Sequence, residues 1–340
     1  MQVCSLLIIN NYLNMKVAVF GATGLVGREM IKVLESRNFP VSELIGVAGL
    51  QSVGKKILFK GKEITVVSPE EALQKKPEIV LFSAGGAASL KFAPQFVAYG
   101  AKVVDNSSAW RMHENIPLVV PEVNGATIKP TDHLIANPNC STIQLVMALA
   151  PLHHKYKINR VVISTYQSVS GSGKKGIDQL MAERSDLPHE KVYPHAIDLN
   201  VLPHAGDFDA DGNTSEELKL VRETQKILDA TIAVSATVVR VPVLGGHSES
   251  VNIEFENDFT LFEVKRLLGG MPGVVVFDFP EANFYPMPIL AQGKDEVFVG
   301  RIRRDESRPN CLNMWIVSDN LRKGAATNAV QIAEYLVSKI

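Results

Sequence analysis

Three groups of residues in this chain could do chemistry, and each points to a different kind. The first is Cys140, in N-P-N-C-S-T at 137–142. Pro138 biases its predecessor away from the helical region, and the apolar run at 143–152 reads as a helix. Cys140 therefore falls at a helix N-terminus, where the positive end of the dipole favours thiolate over thiol. A thiolate is a nucleophile toward acyl carbon. The second group lies in R-V-P-V-L-G-G-H at 240–247. His247 follows a strand and two glycines, which places it on a loop, where an imidazole could take the thiol proton and later return one. Arg240, in the same unit, offers a two-pronged donor for a carboxylate. The third group is Gly21, Gly24 and Gly27, spaced G-x-x-G-x-x-G between a strand and a helix. Glycines there let main-chain N–H groups approach a pyrophosphate at the helix N-terminus. Singly, each has a plain structural reading too: a buried cysteine, an inert loop histidine, a tight strand-to-helix turn.

These residues need elements to position them. Residues 17–20 form a short apolar run, as a buried parallel strand should. Helical spacing follows at 28–36, and further strands are expected at 44–48, 79–83 and 103–104. Strand and helix in alternation predict a doubly wound parallel sheet. After about residue 140 the character changes. Strands are expected at 160–166, 237–243 and 250–255, with helices at 174–184 and 215–228 between them. That pattern predicts an α+β domain with a mixed or antiparallel sheet. A last amphipathic helix is expected at 323–338.

The bulk numbers narrow the function classes. A length of 340 residues suggests about two domains. With 35 Lys plus Arg against 36 Asp plus Glu, nothing draws the chain to nucleic acid or an anionic membrane. No apolar run approaches the roughly 20 residues of a membrane span. Three cysteines are too few for a disulfide framework and lack zinc-ligand spacing, so no metal is expected. A reducing, cytoplasmic setting is the simple reading. Residues 1–14 carry no Lys or Arg and only a short apolar run, unlike a signal peptide; they read as an extension or a mis-assigned start. In residues 47–56 no carboxylate opposes a ribose 2′-phosphate, while Ser52 can donate a hydrogen bond and Lys55 or Lys56 can supply charge, unless both lysines are merely solvated. This favours NADP over NAD.

In their order along the chain, these motifs resemble those of the bacterial aspartate-semialdehyde dehydrogenases. The match runs through G-A-T-G-L-V-G at 21–27, S-A-G-G at 83–86, D-N-S-S-A-W-R at 105–111 and N-P-N-C-S-T at 137–142. It continues through S-T-Y-Q-S-V-S-G at 164–171, R-V-P-V-L-G-G-H at 240–247 and D-N-L-R-K-G-A-A at 319–326. The resemblance implies an α/β fold: a Rossmann-type dinucleotide-binding domain at 15–140 plus an α+β catalytic and dimerisation domain at 141–320. This is the architecture of glyceraldehyde-3-phosphate dehydrogenase. The C-terminal helix, 321–340, would pack back on the Rossmann domain, and the enzyme would be a homodimer.

The resemblance also implies roles. Cys140 matches the thioester-forming cysteine, His247 the general acid/base, and Gln167 the glutamine that holds the acyl group near the thiol. Arg240 would bind the substrate α-carboxylate and Glu216 would face its amino group. Arg111 and Lys219 match the phosphate-binding pair, with Asn139 beside them. Gly21, Thr23, Gly24, Leu25, Val26, Gly27, Ser170, Gly171 and Asn320 match cofactor contacts. The implied reaction is NADPH-dependent reduction of 4-phospho-L-aspartate to L-aspartate 4-semialdehyde, on the route to lysine, threonine and methionine. One departure stands out. Where the family often has A-S-x-R-S at the 2′-phosphate, this chain has Ala48-Gly49-Leu50-Gln51-Ser52. Gln51 in place of arginine would weaken the phosphate contact and relax NADP selectivity. Two alternatives remain open: another acyl-phosphate reductase, of the N-acetylglutamyl-phosphate type, or a non-catalytic cofactor-binding paralogue. The combination of Glu216 and Arg240 suits a free amino acid better than an acetylated one, and Cys140, His247 and Gln167 are all present.

Overall fold

The computed structural model describes residues 15–338; the expected N-terminal extension at 1–14 lies outside them. The chain divides into two compact units. Unit 1 takes the N-terminal part through Pro121, then Gly125–Asn137, and the C-terminal segment from Ala326; unit 2 takes Glu122–Asn124 and Pro138–Ala325.

Unit 1 is a five-stranded parallel sheet, ordered β2-β1-β5-β6-β7. Its strands are β1 (Met15–Phe20), β2 (Val41–Val47), β5 (Ile79–Phe82), β6 (Lys102–Asp105) and β7 (Leu134–Ala136). The hairpin β3 (Lys56–Phe59) and β4 (Lys62–Thr65) stands apart as a two-stranded sheet. Alternation along β1 sorts its side chains into two cores. Val17 and Val19 join Met30, Ile31, Val33 and Leu34 of α1 (Leu25–Ser36). Ala18 and Phe20 join Ala72 of α2 (Pro69–Lys75) and Phe92, Ala93 and Phe96 of α3 (Gly86–Val97). A strand buried on both faces must be apolar throughout, which is why 17–20 has no polar residue. The rings of Phe20 and Phe82 stack at 4.0 Å, with Phe96 edge-on at 5.4 Å. Each such buried ring contributes roughly 1.5–3 kcal/mol. The first core is completed from the far end of the chain, by Ala329, Val330, Ile332, Ala333, Leu336 and Val337 of the C-terminal helix Thr327–Val337.

Unit 2 is built on a six-stranded mixed sheet ordered β11-β12-β13-β10-β8-β9. Its strands are β8 (Ile158–Gln167), β9 (Ala233–Arg240), β10 (His247–Phe255), β11 (Val274–Val276), β12 (Val297–Arg304) and β13 (Cys311–Ser318). The central strand β10 runs antiparallel to both β8 and β13, whereas β8 and β9 are parallel. The helix α4 (Cys140–Tyr156) is buried at every position from Ser141 to Leu149. Helices α5 (Gly173–Arg184), α6 (Ser215–Ile227) and α7 (Leu261–Gly269) follow.

The structure departs from the sequence-based elements in three places. His247 is the first residue of β10 rather than a loop residue, because its backbone already pairs with Ser318 of β13. β9 ends at Arg240, so residues 241–243 of the expected strand lie beyond the strand that forms. The C-terminal helix does not run unbroken from residue 323: a π-helical turn, Arg322–Ala326, precedes Thr327. A Cβ on Gly324 would lie 2.9 Å from Cβ of Cys140.

Candidate active site

The glycine loop of unit 1 is shaped by backbone crowding. Gly21 has φ +75°, and a Cβ there would lie 2.2 Å from the carbonyl oxygen of Ser83. A Cβ on Gly27 would lie 2.1 Å from the carbonyl oxygen of Gly21. Only glycine permits this packing of strand end against helix start. Gly24 is the N-cap of α1, and Leu25, Val26 and Gly27 form its first turn, which holds no acidic residue. Thr23 accepts from Arg28 Nε through its carbonyl oxygen at 3.0 Å. The first turn of α1 thus brings no carboxylate of its own to compete with a pyrophosphate.

At the end of β2, Leu50–Ser52 form a 3-10 turn that places Gln51 and Ser52 together. Lys55 Nζ donates to Ser52 Oγ at 3.2 Å, so this lysine is tied to the expected phosphate residue. Nothing lies within 4 Å of a Cβ built on Gly49. The glycine is therefore not imposed by sterics, and the family's serine would fit there. These residues suit an NADP-type dinucleotide. Arg111 also belongs to unit 1, where its Nε donates to the Asn137 carbonyl at 2.9 Å and its Nη2 to that of Asn106 at 2.7 Å. It is buried.

Unit 2 gathers the remaining candidates. Cys140 is the first residue of α4, and Asn139 caps that helix by accepting the Ser141 N–H at 3.0 Å. The same amide oxygen lies 4.0 Å from Cys140 Sγ. Asn139 is in turn clamped by two carboxylates of α6. Its N–H donates to Glu223 at 2.6 Å and its Nδ2 to Glu216 at 2.8 Å. Residues seven apart share one helix face, so α6 grips the N-cap with both. Glu216 also pairs with Lys219. Gln167, at the end of β8, donates to Ser141 Oγ at 3.0 Å, which holds its side chain beside the first turn of α4.

Arg240 ends β9 opposite Gln167. Its Nη1 donates to the Ser168 carbonyl at 2.8 Å, while its buried Nε has no hydrogen-bond partner. Among the described residues no carboxylate pairs with this buried guanidinium. His247 is wholly buried. Its Nδ1 accepts the backbone N–H of Ser168 at 3.1 Å, and Ser168 Oγ also lies 3.1 Å away. Its Nε2 is buried without a partner. A Cβ on Gly171 would lie 2.7 Å from Arg240 Nη1 and 3.2 Å from His247 Nε2, so a side chain there would push the guanidinium aside. Burial pushes the imidazole pKa down to about 3, helped by the Arg240 charge and opposed by the Gly246 backbone. Asn320 Oδ1 collects donors from Ser168 Oγ and Ser170 Oγ, both at 3.1 Å, and from the Gly246 N–H at 3.0 Å. The expected cofactor residues Ser170, Gly171 and Asn320 thus lie in one network with His247.

Several participants were not singled out from sequence. Ser168 lies inside S-T-Y-Q-S-V-S-G, yet only the β8–β10 register reveals it as the partner of His247. Ser141 likewise escaped notice. Glu249, two residues after His247 on the same face of β10, is wholly buried, and neither of its carboxyl oxygens has a hydrogen-bond partner of good geometry. Burial holds its pKa well above the usual carboxylate range, with Gln144 opposing. Among the described residues no cluster of His, Cys, Asp or Glu could hold a metal.

Comparison with known proteins bears on this arrangement. Residues 16–131 match the family model described as semialdehyde dehydrogenase, NAD binding domain, and residues 149–323 match semialdehyde dehydrogenase, dimerisation domain. The chain is 53% identical to the aspartate-semialdehyde dehydrogenase of Aquifex aeolicus, over 95% of this chain and 98% of that one. It is 47% identical to the same enzyme of Bacillus subtilis, over 94% and 96%. Among solved structures, aspartate semialdehyde dehydrogenase II from Vibrio cholerae, complexed with ASA, superposes with a TM-score of 0.91 at 45% identity, covering 95% of this chain and 98% of that one. A Candida albicans aspartate semialdehyde dehydrogenase with NADP does so with a TM-score of 0.75 at 27% identity, covering 96% and 99%.

Proposed function

This chain belongs to the aspartate-semialdehyde dehydrogenase family, and from that premise we propose that its unit 2 residues carry out acyl transfer through Cys140. The chain is an NADP-dependent oxidoreductase that reduces 4-phospho-L-aspartate to L-aspartate 4-semialdehyde with release of phosphate. The observation that carries the substrate assignment is Arg240: a buried guanidinium with an unpartnered Nε and, among the described residues, no carboxylate counter-charge. A buried cation without an anion is costly, so the site is built to receive one with its substrate. The α-carboxylate of an aspartyl group supplies it.

Cys140 attacks the acyl carbon from the N-terminus of α4, where the helix dipole favours the thiolate. Lys219 and Arg111 bind the departing phosphate and offset its charge. Glu216 meets the substrate amino group, within the cluster it already forms with Asn139 and Lys219. Gln167, anchored on Ser141, holds the acyl group beside the sulfur. Sulfur donates poorly into the carbonyl, so the acyl carbon of the thioester stays electrophilic. NADPH, held by residues 21–27, Gln51, Ser52, Ser170, Gly171 and Asn320, supplies a hydride when bound. Loss of the Cys140 thiolate then yields the aldehyde.

The quaternary reading rests on unit 2. The sheet face opposite that of His247 and Glu249 carries Tyr166 and Trp315, whose rings lie 5.3 Å apart. That aromatic face, with a matching family model described as a dimerisation domain, supports a homodimer. Among the described residues no helix is long and apolar enough to cross a membrane; a reducing cytoplasm suits the thiol chemistry.

The test is phosphate-dependent reduction of NADP by purified protein with L-aspartate semialdehyde, beside Cys140→Ala. Activity in the wild type and its loss in the variant, by about 10⁴-fold or more, is the expected result. A variant that turns over like the wild type removes the thioester route. Turnover of N-acetylglutamate semialdehyde instead removes the substrate assignment.

A further inference from the structure

Helix α4 packs across β8, β10 and β13, and its start meets each of these strands through a polar side chain. Gln167 of β8 donates to Ser141 Oγ at 3.0 Å. Ser318 of β13 donates its hydroxyl to Gln144 Oε1 at 2.6 Å. Ser318 pairs across the sheet with His247 of β10. Glu249 follows two residues later, on the same face of that strand, and so also points at α4. Gln144, Ser318 and Glu249 are all wholly buried. Cys140 opens the helix, and Gln144 follows it by about one turn.

A polar layer here is costly. A buried carboxyl without an ion pair is less favourable than an apolar side chain of similar volume. The same sheet face continues as Val251, flanked by Ile163 of β8 and Met314 of β13. The sheet therefore supplies apolar residues where α4 is merely packed, and polar ones beside the turn that carries the thiol. The Gln144 amide has one acceptor and two donors. Its oxygen takes the Ser318 hydroxyl, which leaves its nitrogen for Glu249, the carboxyl it acts on. Among the described residues, Gln144 Nε2 and both Glu249 oxygens have no partner elsewhere. Burial keeps the carboxyl protonated. An acid and an amide can exchange two hydrogen bonds, whereas a carboxylate could only accept.

We propose that Glu249 is a positioning residue for the thioester chemistry: with Gln144 and Ser318 it forms the tether that fixes the Cys140 end of α4 against β10 and β13. The proposal rests on the thioester reading given above. Glu249 touches neither substrate nor cofactor and moves no proton. It acts about one turn below the thiol, where a shift of the helix carries Cys140 with it. Reacting atoms must stand about 3–3.5 Å apart, and a displacement of about 1 Å can lower a rate about 100-fold. Apolar burial is non-directional and lets a helix slide. Hydrogen bonds have a preferred direction and set its register. An uncharged acid supplies that direction without placing a negative charge behind the thiolate.

The experiment compares intact wild-type protein with Glu249→Leu and Glu249→Gln, assayed with L-aspartate semialdehyde, phosphate and NADP. Leucine fills the space without the tether. It should lower kcat by about 10–100-fold with KM within about twofold, since the thiol is displaced and the substrate contacts are not. Its melting temperature should be no lower than wild type, because an apolar side chain replaces a buried polar one. Glutamine can exchange the same two hydrogen bonds with Gln144 and should recover kcat to within about threefold of wild type. Wild-type kcat in Glu249→Leu would make the residue a core filler and overturn the proposal. A Glu249→Gln as slow as Glu249→Leu would overturn it too, by requiring the acid itself. Gln144→Leu cuts the tether from the helix side and keeps the test in force if Glu249→Leu misfolds. The double variant, Gln144→Leu with Glu249→Leu, should be no slower than the slower single one. Losses that multiply would show two separate roles and overturn the tether. A readout without substrate is alkylation of Cys140 by iodoacetamide, followed on the Cys140 peptide by mass spectrometry. It should slow by about threefold or more in Glu249→Leu, as the thiol leaves its place at the helix N-terminus, and return in Glu249→Gln. Equal rates in all three proteins would show that the thiol has not moved, against the proposal. Wild-type protein inactive on L-aspartate semialdehyde would overturn the functional reading instead, and the alkylation rates would still decide the tether.

Discussion

At the end of β1 the chain offers a ligand its backbone; at the start of α4 it offers side chains. The glycine loop works because Cβ atoms are missing at Gly21 and Gly27, where they would lie 2.2 Å and 2.1 Å from carbonyl oxygens. The candidate thiol site instead gathers polar side chains from α4, α6, β8, β9 and β10. The loop is compact: seven residues of sequence and the Ser83 carbonyl on the next strand define it. The site is assembled over long separations, such as the 79 residues between Ser168 and His247. A local steric device should fail abruptly when one atom is added. A distributed polar device should fail in proportion to the group removed.

The first substitution sets that contrast at its widest. Gly27→Ala places a methyl where no atom fits, and should cost about 3 kcal/mol or more of unit 1 stability together with measurable NADPH binding. Urea denaturation and calorimetric titration check both. Gly24→Ala, whose Cβ would sit at a less severe 3.2 Å from the Gly21 carbonyl, should be much milder. Equal effects would mean that the loop yields as a whole. On the distributed side, Arg240→Lys keeps the charge and loses the fork. It should lower kcat/KM for aspartate semialdehyde by roughly 10–100-fold, the loss of one charge-assisted bond; wild-type kinetics would take the carboxylate away from Arg240.

A smaller effect tests burial rather than contact. Glu249 keeps its proton in the folded protein well above the usual range, whereas the unfolded chain loses it near pH 4.3. Above that pH the unfolded state binds fewer protons, so this residue's contribution to stability declines as pH rises toward the folded pKa. Glu249→Gln removes the titration while keeping the shape. Its melting temperature should match wild type near about pH 4 and exceed it by a few degrees near pH 8. Parallel curves would show that the carboxyl ionises in place. The smallest effect concerns the adenosine end: Gln51→Arg, the family's residue, should tighten NADPH about fivefold, through one charge-assisted bond of about 1 kcal/mol, and leave NADH unchanged. An unchanged NADPH affinity would remove residue 51 from phosphate binding.

The same contrast explains what could be read from the sequence. The glycine loop was legible because its constraint is steric and its residues are neighbours; a strand, three glycines and a helix almost define it. Cys140 was legible as a helix N-terminus because Pro138 and the apolar run bracket it. The mixed sheet of unit 2 was legible as a class, but its register was not. That is why His247 reads as a loop residue and proves to open β10, and why Ser168 went unassigned. The helix at 323–338 reads as continuous because periodicity senses which residues are apolar. It does not sense the contact of Gly324 with Cys140, which goes with the wide turn at Arg322–Ala326.

The core of unit 1 closes only when Ala329, Val330, Ile332, Ala333, Leu336 and Val337 pack against Val17, Val19 and α1. During synthesis these residues appear after every strand of unit 1. The strands of the nucleotide-binding sheet would leave the ribosome long before the helix that covers one of their faces. Until then a row of Val, Met and Leu side chains stands open, a surface inviting aggregation. Unit 2, contiguous from Pro138 to Ala325 but for three residues, carries no such debt to a later segment. The order of assembly in the cell is thus set to run against the order of the sequence: the unit that begins the chain is the one completed last.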